Sequence, residues 1–286
     1  MKKSVFLIGA TGFLGSNIAI ALKGEKVYMG SRKNGDYECD LSDRRGLKKA
    51  IDDADPDVII NAAGSVKETM DVMWETNVSG TVNLLEASGG RRIITISSAD
   101  VYGNVKSKLS EKSLPDPLSQ YGFTKAVADS LCRNYIDERN YPVTILRPFM
   151  VYGPGQPKKM LISQAVDSAL RGAVINLRTA RAIRDPLYVD DFTAAVVATI
   201  GSKKTIGKEL NLGSGKGVSV EQIAKKIIDI IGSKSEINVE SGYVDYSVPL
   251  ELVADISEAK AAIAFKPQKR LEEGLLQTVN WYRKLL

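Results

Sequence analysis

Gly9-Ala10-Thr11-Gly12-Phe13-Leu14-Gly15 lies directly after the apolar run Val5-Phe6-Leu7-Ile8 and directly before a stretch of helical periodicity over 13–23. A strand that turns on glycine and leaves as a helix is how a βαβ unit begins. Glycine lets the backbone turn tightly and approach a pyrophosphate closely, and the open amides of the helix N-terminus take up its charge. The spacing is GxxGxxG rather than GxGxxG, and three glycines alone are a weak signal. Their setting between strand and helix favours nucleotide binding over a plain structural turn.

Outward from that turn, β-branched runs over 27–30, 58–61, 92–97 and 143–147 alternate with amphipathic stretches over 47–52, 73–86 and 120–140. Val58-Ile59-Ile60 carries no polar alternation, which suits a parallel sheet covered on both faces. After Pro148 the pattern changes: Gly153-Pro154-Gly155-Gln156-Pro157 is a loop cluster, a helix is expected over 161–171, and Ser219 is placed to cap another over 223–231. The expected fold is α/β, a doubly wound parallel Rossmann sheet with a smaller mixed α/β C-terminal substrate lobe. Residues 1–150, with a returning helix in roughly 184–202, would form the dinucleotide-binding domain, and 151–183 with 203–286 the substrate lobe.

Several function classes are excluded. The 286 residues contain no histidine, so a Ser-His-Asp hydrolase and a His-ligated metal site are both ruled out, and no metal is expected. Proton transfer must use Tyr, Lys, Asp, Glu, Ser or water. Cys39 and Cys132 form no disulfide framework, which fits a reducing cytoplasm. The net charge of +5 is spread along the chain, so nucleic acid is not implied. The apolar run after Met1-Lys2-Lys3 breaks at Gly9, and nothing approaches the ~20 apolar residues of a membrane helix.

The second strand ends Gly30-Ser31-Arg32-Lys33, with no acid before Asp36. An acid there would bind the ribose hydroxyls of NAD; an arginine holds the 2′-phosphate of NADP, so Ser31 and Arg32 favour NADP, with NAD possible. Tyr121-Gly122-Phe123-Thr124-Lys125 places Tyr and Lys at i and i+4 on one helical face. A free phenol, with a pKa of ~10, is a poor acid or base near neutrality, and a nearby ammonium is expected to favour the phenolate. YxxxK is common by chance, and a surface tyrosine over a lysine stem is the bland alternative. Upstream, Ile96-Ser97-Ser98-Ala99-Asp100-Val101-Tyr102-Gly103 closes a strand, where a hydroxyl at Ser98 would meet a substrate carbonyl.

Together these features resemble the extended short-chain dehydrogenase/reductase family, in its NAD(P)-dependent nucleotide-sugar epimerase/reductase branch, over nearly the whole chain. The matching elements are the glycine turn, Asp40-Leu41, Asn61-Ala62-Ala63-Gly64, Glu75-Thr76-Asn77, the segment from Ser97 to Gly103, Tyr121 with Lys125, the segment from Arg147 to Gly155 and Arg184-Asp185-Pro186-Leu187-Tyr188-Val189-Asp190-Asp191. The resemblance implies a cofactor held by Gly9, Thr11, Gly12, Phe13, Leu14, Gly15, Ser31 and Arg32, with Asp40 and Leu41 at the adenine. Ala62, Ala63 and Gly64 would pass beneath it, Asn77 would hold the local backbone, and Pro148 would lie near the nicotinamide. Ser98, Tyr121 and Lys125 become the catalytic trio, with Tyr121 and Lys125 also touching the cofactor, and Ser98, Tyr121 and Arg184 the substrate, Arg184 on its diphosphate. A homodimer packed through the helices near 73–86 and 120–140 is the family's habit.

Departures from the family pattern narrow the reaction. Family dehydratases carry an Asp-Glu pair where this chain has Ala99 and Asp100. Enzymes that combine epimerisation with reduction, such as GDP-fucose synthase, use a Cys, at the position of Asp100, and a His. Many relatives have Asn at Met150. The leading expectation is an NADPH-dependent reductase of the 4-keto group of a nucleotide-linked deoxysugar. The alternatives are a nucleotide-sugar 4-epimerase, a reductase of a non-sugar ketone, and a non-catalytic NADP-binding sensor or scaffold.

Overall fold

The computed structural model describes residues 3–66, 68–104, 108–240 and 247–285. In chain order the strands are β1 (Ser4–Ile8), β2 (Lys26–Ser31), β3 (Tyr37–Glu38), β4 (Val58–Asn61), β5 (Arg92–Ile96), β6 (Val143–Pro148) and β7 (Met150–Tyr152). They continue as β8 (Ile175–Leu177), β9 (Ile183–Arg184), β10 (Pro186–Tyr188), β11 (Glu209–Leu212), β12 (Val218–Ser219), β13 (Ile237–Val239) and β14 (Glu251–Leu252). The α-helices are α1 (Phe13–Ala21), α2 (Arg44–Ala54), α3 (Met70–Met73), α4 (Gly80–Ala87), α5 (Gln120–Arg139), α6 (Leu161–Leu170), α7 (Val189–Gly201), α8 (Val220–Ile231), α9 (Ser257–Ile263) and α10 (Leu271–Arg283).

The central sheet has seven strands in the order β11-β6-β5-β4-β1-β2-β3, all paired in parallel. Val5 and Leu7 face one core, with Ile18 of α1 and Phe192 and Val196 of α7. Phe6 and Ile8 face the other, with Ile51 of α2, Leu85 of α4 and Tyr135 of α5. Every residue of β4, β5 and β6 is buried, which is why these strands read as unbroken apolar runs. The strand order reverses between β1 and β4, and at such a crevice, outside the carboxyl ends of the strands, open α/β sheets take their ligands. Ile8 pairs with Asn61, and Asn61 with Thr95, so the exits of β1, β4 and β5 lie side by side.

A second core joins α6, α8 and α10 through Ile162, Val166, Ile223, Ile227, Leu275 and Val279, over Ile175 and Leu177 of β8. Ser219 caps α8, accepting from Gln222 N while the Gln222 side chain accepts from Ser219 N, a reciprocal capping box. Among the described residues no helix is long and apolar enough to cross a membrane.

Three elements differ from the sequence expectation. The helix expected over 47–52 starts earlier, because the Asp43 carboxylate caps it on Arg45 N and Gly46 N, both at 3.1 Å. The single helix expected over 73–86 is α3, a π-helical turn (Trp74–Ser79) and α4. The wider π turn carries Asn77 inward, and periodicity alone does not reveal it. Glu209–Leu212, assigned from sequence to the smaller lobe, is instead an edge strand of the central sheet beside β6. Its brevity and its central asparagine hid it, yet Leu210 and Leu212 are fully buried and Asn211 is held inside by hydrogen bonds from Tyr102 OH and to Leu109 O and Glu111.

Candidate active site

The three glycines of the first turn serve two purposes. Gly9 leaves β1 at φ +77°, and a Cβ on it would lie 2.6 Å from Ala63 N, in the loop after β4. A Cβ on Gly15 would lie 2.0 Å from Gly9 O. Both are demanded by the protein's own backbone. Gly12 is not: it is exposed, has an ordinary φ of −76°, and a Cβ there would meet nothing nearer than Gly9 O at 3.4 Å. It is the N-cap of α1, whose first turn holds no acid. The opening amides of a helix have no intrahelical acceptor, so this concave turn with room above it fits a dinucleotide pyrophosphate. Thr11 is exposed beside it.

At the exit of β2 Ser31 is buried, and its hydroxyl donates to Lys33 O, curling the strand end so that Arg32 stands exposed. Among the described residues Arg32 has no hydrogen-bond or ion-pair partner. Asp36, the nearest acid, accepts from Met29 N at 2.8 Å. Asp40 closes a turn on Ser42 N and its hydroxyl, both at 2.9 Å, while Leu41 is buried and its carbonyl accepts from Asn83 at 2.8 Å. Asn83 was missed in the sequence, since one asparagine on a helix carries no pattern.

Beyond β4 the chain runs through Ala62 and Ala63, half-buried, to exposed Gly64. Asn77 holds this segment: its Oδ1 accepts from Ser65 N at 2.9 Å, and its Nδ2 donates to Ser65 O and Thr124 Oγ1, each at 3.0 Å. The π turn thus ties the crevice floor to the helix that bears Tyr121 and Lys125.

Ser98 follows β5 and caps a short 3₁₀ turn, Ala99–Val101. Its hydroxyl donates to Asp100 Oδ2 at 3.0 Å and accepts from Asp100 N at 3.1 Å. Ser119 caps α5 through Gly122 N at 2.9 Å, and a Cβ on Gly122 would lie 2.1 Å from Asp100 O. The glycine after Tyr121 therefore lets α5 press against the turn that holds Ser98. Pro148 ends β6, buried, opposite Leu212.

The electrostatics depart from the sequence expectation in one respect. Lys125 does not depress Tyr121: its Nζ donates to Ile96 O at 2.6 Å. Burial, joined by the Asp100 carboxylate, pushes the Tyr121 phenol well above its ordinary value, with the Ser98 hydroxyl working against the rise. The phenol is therefore protonated near neutral pH. Burial also raises Asp100, opposed by Ser98 and by the charge of Arg184. Arg184 itself is lowered by burial, and its Nη1 donates to Ile183 O at 2.7 Å. Ser98, Asp100, Tyr121 and Arg184 thus converge, whereas Arg32, Asp40 and Leu41 lie at the far end, by β2 and β3. Asp185, quoted in the motif but given no role, accepts from Ser214 N, Gly215 N and Ala254 N at 2.6, 2.9 and 3.1 Å and pins two loops beside Arg184.

A doubly wound parallel sheet, a glycine turn at its switch point and a Tyr–Lys helix at its strand ends define an NAD(P)-dependent oxidoreductase of the extended short-chain dehydrogenase/reductase type. The chain belongs to the NAD dependent epimerase/dehydratase family, whose model matches residues 5–213. It is 30% identical over 213 residues to an uncharacterized UDP-glucose epimerase, YtcB, of Bacillus subtilis, covering 73% of this chain and 67% of that protein. It is 29% identical over 263 residues to UDP-glucuronate 4-epimerase of Thermodesulfobacterium geofontis, covering 87% and 79%. Among solved structures, UDP-glucuronic acid 4-epimerase from Bacillus cereus, in complex with UDP-glucuronic acid and NAD, superposes with a TM-score of 0.89 at 27% identity over 99% of this chain and 100% of that one. The activity is of the nucleotide-sugar epimerase/dehydratase type.

Proposed function

We propose that the chain reduces the 4-keto group of a nucleotide-linked deoxysugar with NADPH. The observation that carries this reading is the exit of β2: Arg32 is unpartnered among the described residues and Asp36 is engaged with Met29 N, so a 2′-phosphate finds a cation and a ribose diol finds no free acid. When bound, the dinucleotide supplies the hydride. Gly12 and the first turn of α1 would hold its pyrophosphate, Ala62 to Gly64 would lie beneath it, and Lys125 and Pro148 would border the nicotinamide end. Tyr121 donates the proton to the developing alkoxide, Ser98 fixes that oxygen, and Arg184 pairs with the substrate diphosphate. A cavity of about 340 Å³ between α6 and β8, lined by Lys158, Gln164, Asp167 and Asn176, suits the nucleoside in the smaller lobe. In Arg32→Ala the Michaelis constant for NADPH is expected to rise about tenfold or more, the scale of one charge-assisted contact, while that for NADH stays put. An unchanged ratio would sink the NADP reading.

A second reading, nucleotide-sugar 4-epimerisation, is favoured by the activities for which the relatives are named and by the NAD in the Bacillus cereus structure. The two part on one measurement. A reductase consumes NADPH stoichiometrically with a keto-sugar nucleotide; an epimerase consumes none and releases a bound nucleotide on denaturation, identified by its mass.

The reading extends to a homodimer. Val72, Trp74 and Phe123 are exposed on the segment from α3 through the π turn and on α5, with the Trp74 and Phe123 rings 6.4 Å apart. Trp74→Glu with Phe123→Glu is expected to halve the solution mass measured by light scattering; a wild-type monomer would refute the dimer.

A further inference from the structure

We propose that Asp185 is a positioning residue: its carboxylate fixes the two strands that flank Arg184 and so sets where the guanidinium meets the substrate diphosphate. The proposal rests on the reading of Arg184 as the residue that pairs with that diphosphate. Arg184 ends β9, the central strand of a three-stranded sheet in the order β12-β9-β14. It stands opposite Val218 of β12, antiparallel, and opposite Leu252 of β14, parallel. Each of these neighbours has only two residues, short of the usual length of about 3–10, and needs anchoring from outside. Asp185, the next residue, is fully buried and accepts from Ser214 N at 2.6 Å, Ser214 Oγ at 2.5 Å, Gly215 N at 2.9 Å and Ala254 N at 3.1 Å. Ser214 and Gly215 lie on the segment that leads into β12, and Ala254 lies just beyond β14. One carboxylate thus anchors both flanking strands beside Arg184.

The same contacts carry the register into the central sheet. β11 ends at Leu212, opposite Pro148, and the chain runs on directly through Gly213 to Ser214. A Cβ on Gly213 would lie 2.4 Å from Asp185 Oδ2 and 2.6 Å from Ala254 Cβ, so the carboxylate sits tight against the strand exit. On its other side, Asp185 O accepts from Met150 N at 3.1 Å, just past Pro148. Asp185 thereby ties Arg184 to the exits of β6 and β11, where Pro148 would border the nicotinamide. The Arg184 guanidinium donates to Ile183 O at 2.7 Å, a carbonyl of its own strand, so its place in the crevice follows that strand. Placement matters because a misplacement of ~1 Å at a reacting centre can cost a factor of about 10². Packing alone does not call for a carboxylate here, since a buried one is costly unless its oxygens are hydrogen-bonded. What it adds over an apolar side chain is two acceptor oxygens that reach separate loops at once.

The test is a double-mutant cycle on nucleoside diphosphate binding, measured by titration calorimetry with UDP, dTDP, GDP and CDP and carried forward with the one that binds wild type best. Arg184→Gln and Asp185→Asn are each expected to weaken that binding about tenfold, the scale of one charge-assisted contact. In Asp185→Asn one acceptor oxygen becomes an NH2 donor, so at least one backbone N–H loses its acceptor. The double variant is expected to bind about tenfold more weakly than wild type, not about a hundredfold, because Asp185 acts through Arg184. Dinucleotide affinity, read with NADPH, is expected to stay at the wild-type value in all three. A merely structural Asp185 would weaken binding equally with and without Arg184, and that result overturns the proposal. Should Asp185→Asn fail to fold, Ser214→Ala, which takes one hydroxyl donor from the carboxylate, replaces it in the cycle. A loss of about threefold that vanishes in the Arg184→Gln background supports the proposal. A loss that persists there, or no loss at all, overturns it. Wild type binding none of the four diphosphates would remove Arg184 from that role and the proposal with it, whereas tight binding with independent losses overturns the proposal alone.

Discussion

Tyr121→Phe is expected to cut turnover of a keto-sugar nucleotide by a factor of about 10²–10⁴ while dinucleotide affinity stays nearly intact. The substitution keeps the ring and its packing in the first turn of α5 and removes only the hydroxyl. Without it no other group of ordinary acidity is poised as donor: Ser98 already donates to Asp100, and Lys125 to Ile96 O. The sign of the pH dependence follows from the same geometry. Reduction needs the protonated phenol, and burial with the Asp100 carboxylate raises that phenol above its ordinary ~10, so the protonated form persists through neutrality. Activity is expected to be flat across neutral pH and to fall only on the alkaline side. The chain has no histidine, so an acid limb between pH 5 and 7 would belong to a raised carboxyl, with Asp100 first in line. Steady-state NADPH oxidation against pH, in wild type, Tyr121→Phe and Asp100→Asn, checks each part. Near-normal turnover of Tyr121→Phe would remove the tyrosine from the chemistry.

Much of the candidate site was legible because its parts are local. The turn from Gly9 to Gly15 needs only a strand before and a helix after, and both are visible in hydrophobic periodicity. Tyr121 and Lys125 share a face by helical spacing, and Ser98 ends a strand whose burial is written in Ile93 and Ile94. What stayed hidden depends on long-range partners. That Lys125 turns to Ile96 O, and that Asp100 faces Arg184, are facts of tertiary packing between segments far apart in the chain. Asp129 was visible four residues after Lys125, but a carboxylate at that spacing reads as a solvated helix pair until Arg147 is seen beside it. The edge strand Glu209–Leu212 was misplaced for a similar reason: four residues with one asparagine become a strand only when β6 offers its edge.

The glycine turn makes the sharpest separation between fold and function. Gly9→Ala is expected to destabilise the protein by about 2–5 kcal/mol, combining left-handed backbone strain with overpacking. Its Cβ would fall 2.6 Å from Ala63 N, backbone that belongs to a neighbouring strand exit and has no rotamer to yield. Against a typical stability of about 5–15 kcal/mol that is a large fraction, so a markedly lower melting temperature is expected with or without cofactor. Gly12→Ala is expected to behave otherwise. At φ −76° and with 3.4 Å to its nearest neighbour, the methyl fits, and the melting temperature of the cofactor-free protein should change little, by less than about 1 kcal/mol in stability. The same methyl occupies the space into which a pyrophosphate must come, so dinucleotide affinity is expected to fall tenfold or more, about 1.4 kcal/mol. Thermal unfolding and NADPH fluorescence titration of both variants read the two effects separately. Wild-type affinity in Gly12→Ala would mean that the open face of the turn is not where the phosphates lie. A wild-type melting temperature in Gly9→Ala would mean that the exits of β1 and β4 are farther apart than the 2.6 Å approach requires.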